Sequence, residues 1–209
     1  MPEGHEFDFG SFFRGVADVA QEIFGQAGRH PHIVILVNGV DGDEVDVETI
    51  HFDAIVDAVP IGDLRFRIKT AFGVVADEIV EKKAIGYVEV AEGYAVEASG
   101  VQDYAKIVEE HGSIEDTPGR LEMLLVTGRL RDVRLSHTWK IKRVGKSAAV
   151  LTDGKEAKLS VNVGSASVLD KAVSRSLGET TVCHPPGQCP CSSRVTYVDP
   201  ECFCACHGE

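Results

Sequence analysis

The chain has 209 residues, 44% of them hydrophobic, and a formal net charge of -12. That apolar share supports a real core and excludes wholesale disorder. The acidic balance argues against a general binder of nucleic acid or anionic membrane, which needs clustered Lys and Arg.

The opening, Met1 to Asp8, is acidic and lacks the basic and apolar regions of a signal peptide. No run approaches the roughly 18 apolar residues of a membrane span. A cytoplasmic location is therefore expected. A helix follows, with Ser11 as the predicted cap. Phe12, Phe13, Val16, Val19, Ala20, Ile23 and Phe24 recur at helical spacing, and Gly25 and Gly28 end the run. Such a stripe packs on a core or on a second copy of the chain, so a homo-oligomer is compatible with it.

His30-Pro-His32 precedes the β-branched run Ile33 to Val37. JAMM-type metalloproteases place Ser and then Asp at fixed distances after such a His pair. Here those positions hold Val40 and Asp43. The missing Ser removes that reading, and the pair is expected to be exposed in a loop. Asn38-Gly39 or Asp41-Gly42 turns the chain into a return strand carrying Val45, Val47 and Ile50. The acidic residues around Asp41 lack the oxygen ligand and glycine that an EF-hand loop requires.

A second helix is predicted from the Asp63 cap, burying Leu64, Ile68, Ala71, Phe72, Val75 and Ile79. A strand covers Tyr87 to Glu97, a short helix Asp103 to Glu110, and an exposed loop His111 to Arg120. A further strand covers Leu121 to Val126, with Thr127-Gly128 as a turn. Val133 to Ile141 alternates, with His137 beside Trp139 on its apolar face. A lone histidine there reads as a core residue before a catalytic one. Arg129, Arg131, Arg134, Lys140, Lys142, Arg143 and Lys146 read as a solvated basic face. Ala148 to Leu159 is predicted as a hairpin turning on Asp153-Gly154. A last helix ends near Leu177.

The element order predicts an α+β body over residues 1–179, a mostly antiparallel sheet with helices packed on one face. Its layout over residues 32 to 144 resembles uncharacterised bacterial and phage α/β domains, a resemblance that implies no activity. No nucleophile elbow, P-loop or dinucleotide fingerprint occurs.

Residues 180–209 form a small Cys/His-rich tail with all six cysteines of the chain. In a reducing compartment such clusters read as metal ligands before disulfides. Zn²⁺ takes four thiolate or imidazole ligands, and Pro190 fixes the turn between Cys189 and Cys191. An iron–sulfur cluster, disulfides and free thiols are the alternatives. Cys189-Pro-Cys191, with Ser193, Tyr197, Cys202 and the closing Cys206-His207, resembles the SEC-C zinc motif. Two glycines of that motif are replaced by Ser192 and Arg194, and ten residues rather than eight separate Cys191 from Cys202. The ligands are thus expected among Cys189, Cys191, Cys202, Cys204, Cys206 and His207, with Cys183 and His184 left over. The resemblance implies a protein-contact appendage. The sequence is therefore read as a non-enzymatic interaction or adaptor protein whose zinc-stabilised tail contacts a protein partner. An enzyme with its site in the body, or a thiol-based metal or redox sensor, are the other readings.

Overall fold

Asp8 fixes where the first helix begins. Its carboxylate accepts from the Ser11 amide at 3.2 Å, one of the amides a helix start leaves without a partner. Helix α1 (Phe9–Ala27) follows and stops at Gly28, whose φ of 70° suits a left-handed C-cap. The cap thus lies three residues before Ser11. The buried face is correspondingly Phe9, Phe13, Ala17, Ala20 and Phe24, while Val19 and Ile23 stay exposed.

In the computed structural model the residues described are 7–42, 44–96, 106–107, 109–112, 114–144, 148–158 and 165–178. All but Gly178 belong to one unit, Met1–Leu177. Strands β1 (Ile33–Asp41) and β2 (Glu44–His51) make a hairpin around Gly42. Two helices then follow in quick succession, α2 (Phe52–Ala58) and α3 (Leu64–Glu81). Strands β3 (Gly86–Ala95), β4 (Leu121–Leu130), β5 (Val133–Val144) and β6 (Ala148–Lys158) complete the sheet. Lys106, Ile107 and Glu109 to His111 are helical in the β3–β4 connection. Helix α4 (Ser165–Ser176) closes the order.

The sheet runs β2-β1-β3-β4-β5-β6, and every pairing is antiparallel. The α+β class is thus observed. The helices, however, lie on both faces, and period-2 alternation explains why. Along β1, Val34 and Leu36 join one apolar cluster with Phe52, Val56, Ala71, Val75, Ile79, Leu169 and Val173 from α2, α3 and α4. Ile33 and Ile35 point the other way and pack with Phe9, Phe13, Ala17 and Phe24 of α1. Central strands apolar on both faces need cover on both faces. The expected one-sided layer is therefore replaced by α1 on one side and three helices on the other.

Two glycines explain two further departures. β4 does not turn at Thr127-Gly128 but continues to Leu130, and Arg131, with φ of 48°, makes the turn. Gly128 is there for close approach. A Cβ on it would sit 3.1 Å from the Phe13 ring and from the Tyr87 carbonyl oxygen. Ala148 to Lys158 is one strand rather than a hairpin. Asp153 and Gly154 both face Trp139, where the β5–β6 register shifts between Thr138 and Lys140. That is a bulge, with Asp153 at φ 54°. A Cβ on Gly154 would lie 2.7 Å from Trp139 Nε1, so the indole occupies the space of a side chain.

Candidate functional site

A cleft of about 750 Å³ opens where the α1–β1 connection meets α2 and α3. Ile23 and Ala27 of α1, Val56 of α2, and Leu64 and Ile68 of α3 give it apolar walls. Arg29, His30, His32, Asp53 and Glu92 give it a polar side. Concave apolar sites with a few convergent polar groups are the usual form of a small-ligand pocket.

The two histidines are not the exposed loop pair expected from the sequence. His30 is only 7% exposed. Its amide donates to Glu92 Oε1 at 2.5 Å, and Nδ1 lies 2.6 Å from the Pro31 carbonyl oxygen. A carbonyl only accepts, so Nδ1 carries a proton. Burial pushes the His30 imidazole below its usual pKa, against the opposing pull of the Pro31 carbonyl and Glu92. Glu92 is held in turn by Arg143 at 3.1 Å, and Arg143 also donates to Glu122 and to the Gly28 carbonyl.

His32 is pinned from several sides. Its amide donates to Asp53 at 3.0 Å, and its carbonyl accepts from Phe52 N at 3.0 Å. Its ring stacks on Phe52 with centroids 4.0 Å apart, and Phe72 lies at 5.8 Å. Nε2 meets Glu89 Oε1 at 2.9 Å. Glu89 sits in the middle of β3, 4% exposed, and Thr127 Oγ1 donates to its other oxygen at 3.4 Å. A carboxylate this deep is costly without partners that keep it satisfied.

Further along the same sheet face a cross-strand row joins Tyr87, Arg129 and Arg134. Tyr87 Oη donates to Asp170 Oδ1 at 2.9 Å, and Arg134 Nε donates to Asp170 Oδ2 at 2.8 Å. Arg129, 1% exposed, donates to the Asp170 carbonyl at 2.6 Å and to Ser174 Oγ at 2.8 Å. Burial, reinforced by the Asp170 charge, pushes the Tyr87 phenol far above its usual pKa, so it stays a donor. This row fastens α4 to the sheet.

The remaining sequence candidates fall as follows. His137 is half-buried and stacks on Trp139 at 4.0 Å with 9° between the planes. Its buried Nδ1 has no hydrogen-bond partner among the described residues. The basic stretch is not simply a solvated face. Arg129 and Arg134 bind Asp170, Arg143 binds Glu92 and Glu122, and Lys140 pairs with Asp153 at 3.6 Å. Lys146 and the proposed zinc ligands Cys189, Cys191, Cys202, Cys204, Cys206 and His207 lie outside the described residues, as do Cys183 and His184. Among the described residues no group of three or more His, Cys, Asp or Glu is arranged to hold a metal. None of the described helices is long and apolar enough to cross a membrane. Sequence reasoning missed Glu89 and put the buried Arg129 on a solvated face. The available signal was a charge in a central strand, in phase with the aromatic Tyr87.

No family model matches the chain, and neither a curated protein nor a solved structure is found similar to it.

Proposed function

We propose that this is an interaction protein, in which an α+β body carries a zinc-holding C-terminal tail that contacts a protein partner. One observation carries the reading. Every cysteine of the chain lies between 183 and 206, after α4 has ended at Ser176. Among the described residues, the body's two apolar clusters are built from side chains no later in the chain than Leu177. Cysteine chemistry is thus concentrated in one short stretch of sequence, where a donor set of thiolates and one imidazole suits Zn²⁺. Cys189 and Cys191 would supply two ligands, and two of Cys202, Cys204, Cys206 and His207 the rest. Zinc there supplies structure. Its binding, apparently worth roughly 10–16 kcal/mol in small zinc modules, orders a segment too short for a core of its own.

Affinity capture from the native cell tests the reading, comparing the full chain, a chain ending at residue 179, and a Cys189→Ser/Cys191→Ser variant. A partner retained by the full chain and lost by both others is expected. Equal capture by all three would refute it. A second reading, an active site in the body, is favoured by the His32–Glu89 pair at the cleft.

A further inference from the structure

Two features of the cleft are unlike ordinary surface. Large apolar side chains stand exposed at its rim, with Leu64 at 60% and Ile68 at 36%. Beside them is an imidazole whose position is fixed by a ring stack, a backbone hydrogen bond and a carboxylate buried in the sheet. A structural partner for Glu89 would not have to line a cavity of this size. A carboxylate only accepts, so the Nε2 facing Glu89 is a protonated nitrogen, and in the neutral imidazole the lone pair is on Nδ1. Among the described residues Nδ1 has no hydrogen-bond partner. A histidine held by a carboxylate at the wall of a cleft is a candidate for acid–base chemistry on that geometry.

We propose that the cleft is a general-base site, where His32 abstracts a proton from a small substrate with an apolar body. The substrate class is a carbon or hydroxyl acid whose apolar part lies between Leu64, Ile68, Val56 and Ile23. The lone pair on Nδ1 takes the proton, and the electrons of the broken C–H or O–H bond stay on the substrate. His32 becomes an imidazolium, and its charge faces the Glu89 carboxylate at 2.9 Å. Glu89 is a positioning residue. It sets the tautomer and ring orientation and offsets the new charge, as a carboxylate does behind a histidine base. Asp53 and Glu92 are already engaged by backbone amides, and of the two cleft histidines it is His32 whose ring is hydrogen-bonded to a carboxylate that offsets the new charge.

The probe is 5-nitrobenzisoxazole, a small apolar molecule that opens after a single proton abstraction. The base removes the ring C–H proton, that electron pair forms the nitrile, and the N–O bond breaks to leave a phenolate. The full chain is expected to accelerate this reaction with saturation. His32→Gln should lower kcat/KM by about 100-fold, the range of a positioned base. Glu89→Gln should lower kcat by about 10-fold with KM unchanged, the size of effect seen when the group that orients a functional histidine is removed. Leu64→Trp, at an exposed rim position that tolerates bulk, should raise KM several-fold and leave the fold intact. His111→Gln, exposed and outside the cleft, should match the parent. If His32→Gln turns the probe over as fast as the parent, the proposal fails. If Glu89→Gln does not fold, as read by circular dichroism, Leu64→Trp decides, and an unchanged KM overturns the site. None of these residues lies in the tail, so this proposal and the zinc reading fail separately.

Discussion

Asp170 is the residue whose loss should cost the body most for one carboxylate. Its side chain takes the Tyr87 hydroxyl at 2.9 Å and the Arg134 guanidinium at 2.8 Å, while its carbonyl takes Arg129. Asp170→Ala keeps the carbonyl contact and removes the other two acceptors. Removing one partner of a buried ion pair costs about 3–5 kcal/mol. Arg134 is 26% exposed, so water recovers part of its solvation and the lower end applies. The expected loss is about 3 kcal/mol. With a urea dependence of about 2 kcal/mol per molar, the unfolding midpoint should fall by about 1.5 M. Asp170→Asn keeps an acceptor for Tyr87 and should lose about half as much. Urea titration followed by circular dichroism and by Trp139 fluorescence measures both. A midpoint shift under about 0.3 M for Asp170→Ala would put the residue in the class of ordinary surface positions. It would refute the claim that this row holds α4.

Three further outcomes follow from the same geometry. Tyr87 has its folded pKa raised, so the unfolded chain releases the phenol proton first, and the stabilisation present below about pH 10 is lost above it. Stability from urea titration should fall by about 1.4 kcal/mol in total between about pH 9 and pH 11 from this group, and Tyr87→Phe should remove that component. His30 has its folded pKa lowered, so its contribution is present above about pH 6.5 and declines as pH falls toward the lower folded value. The difference in midpoint between about pH 7.5 and pH 5.5 should shrink in His30→Gln. Gly128→Ala drives a methyl to within 3.1 Å of Phe13 and should cost about 1–3 kcal/mol. Calorimetry should show a Tm lower by about 2–12 °C, at about 2–4 °C per kcal/mol for a body of this size, partly restored by Phe13→Leu.

The sequence signals that held are those of long, strongly periodic segments. Phe13, Ala20 and Phe24 of α1, and Ala71, Val75 and Ile79 of α3, are buried as their helical spacing implies. Leu64 and Ile68 fit the same repeat but stand exposed at the cleft. Periodicity assigns a face and does not say how far along a helix the core extends. The seven-residue helix α2 leaves no periodic signal, because Phe52 and Val56 alone make too short a pattern. Gly128 and Gly154 carried ordinary turn signals. Their true cause is a Phe13 ring and a Trp139 indole arriving from distant positions, which no local window contains. The histidine cleft was invisible for the same reason. His32 and Glu89 are 57 residues apart in sequence, and only the antiparallel pairing of β1 with β3 brings them together.

The zinc site proposed for the tail uses Cys189, Cys191 and two further ligands. Elemental analysis of the full chain, purified without chelator, tests it most directly. About one zinc per chain is predicted, as for a four-ligand structural site, with loss of the metal in Cys189→Ser/Cys191→Ser and an unchanged unfolding transition of the body. Less than about a tenth of an equivalent in the parent chain, far below the one ion such a site binds, would contradict the account.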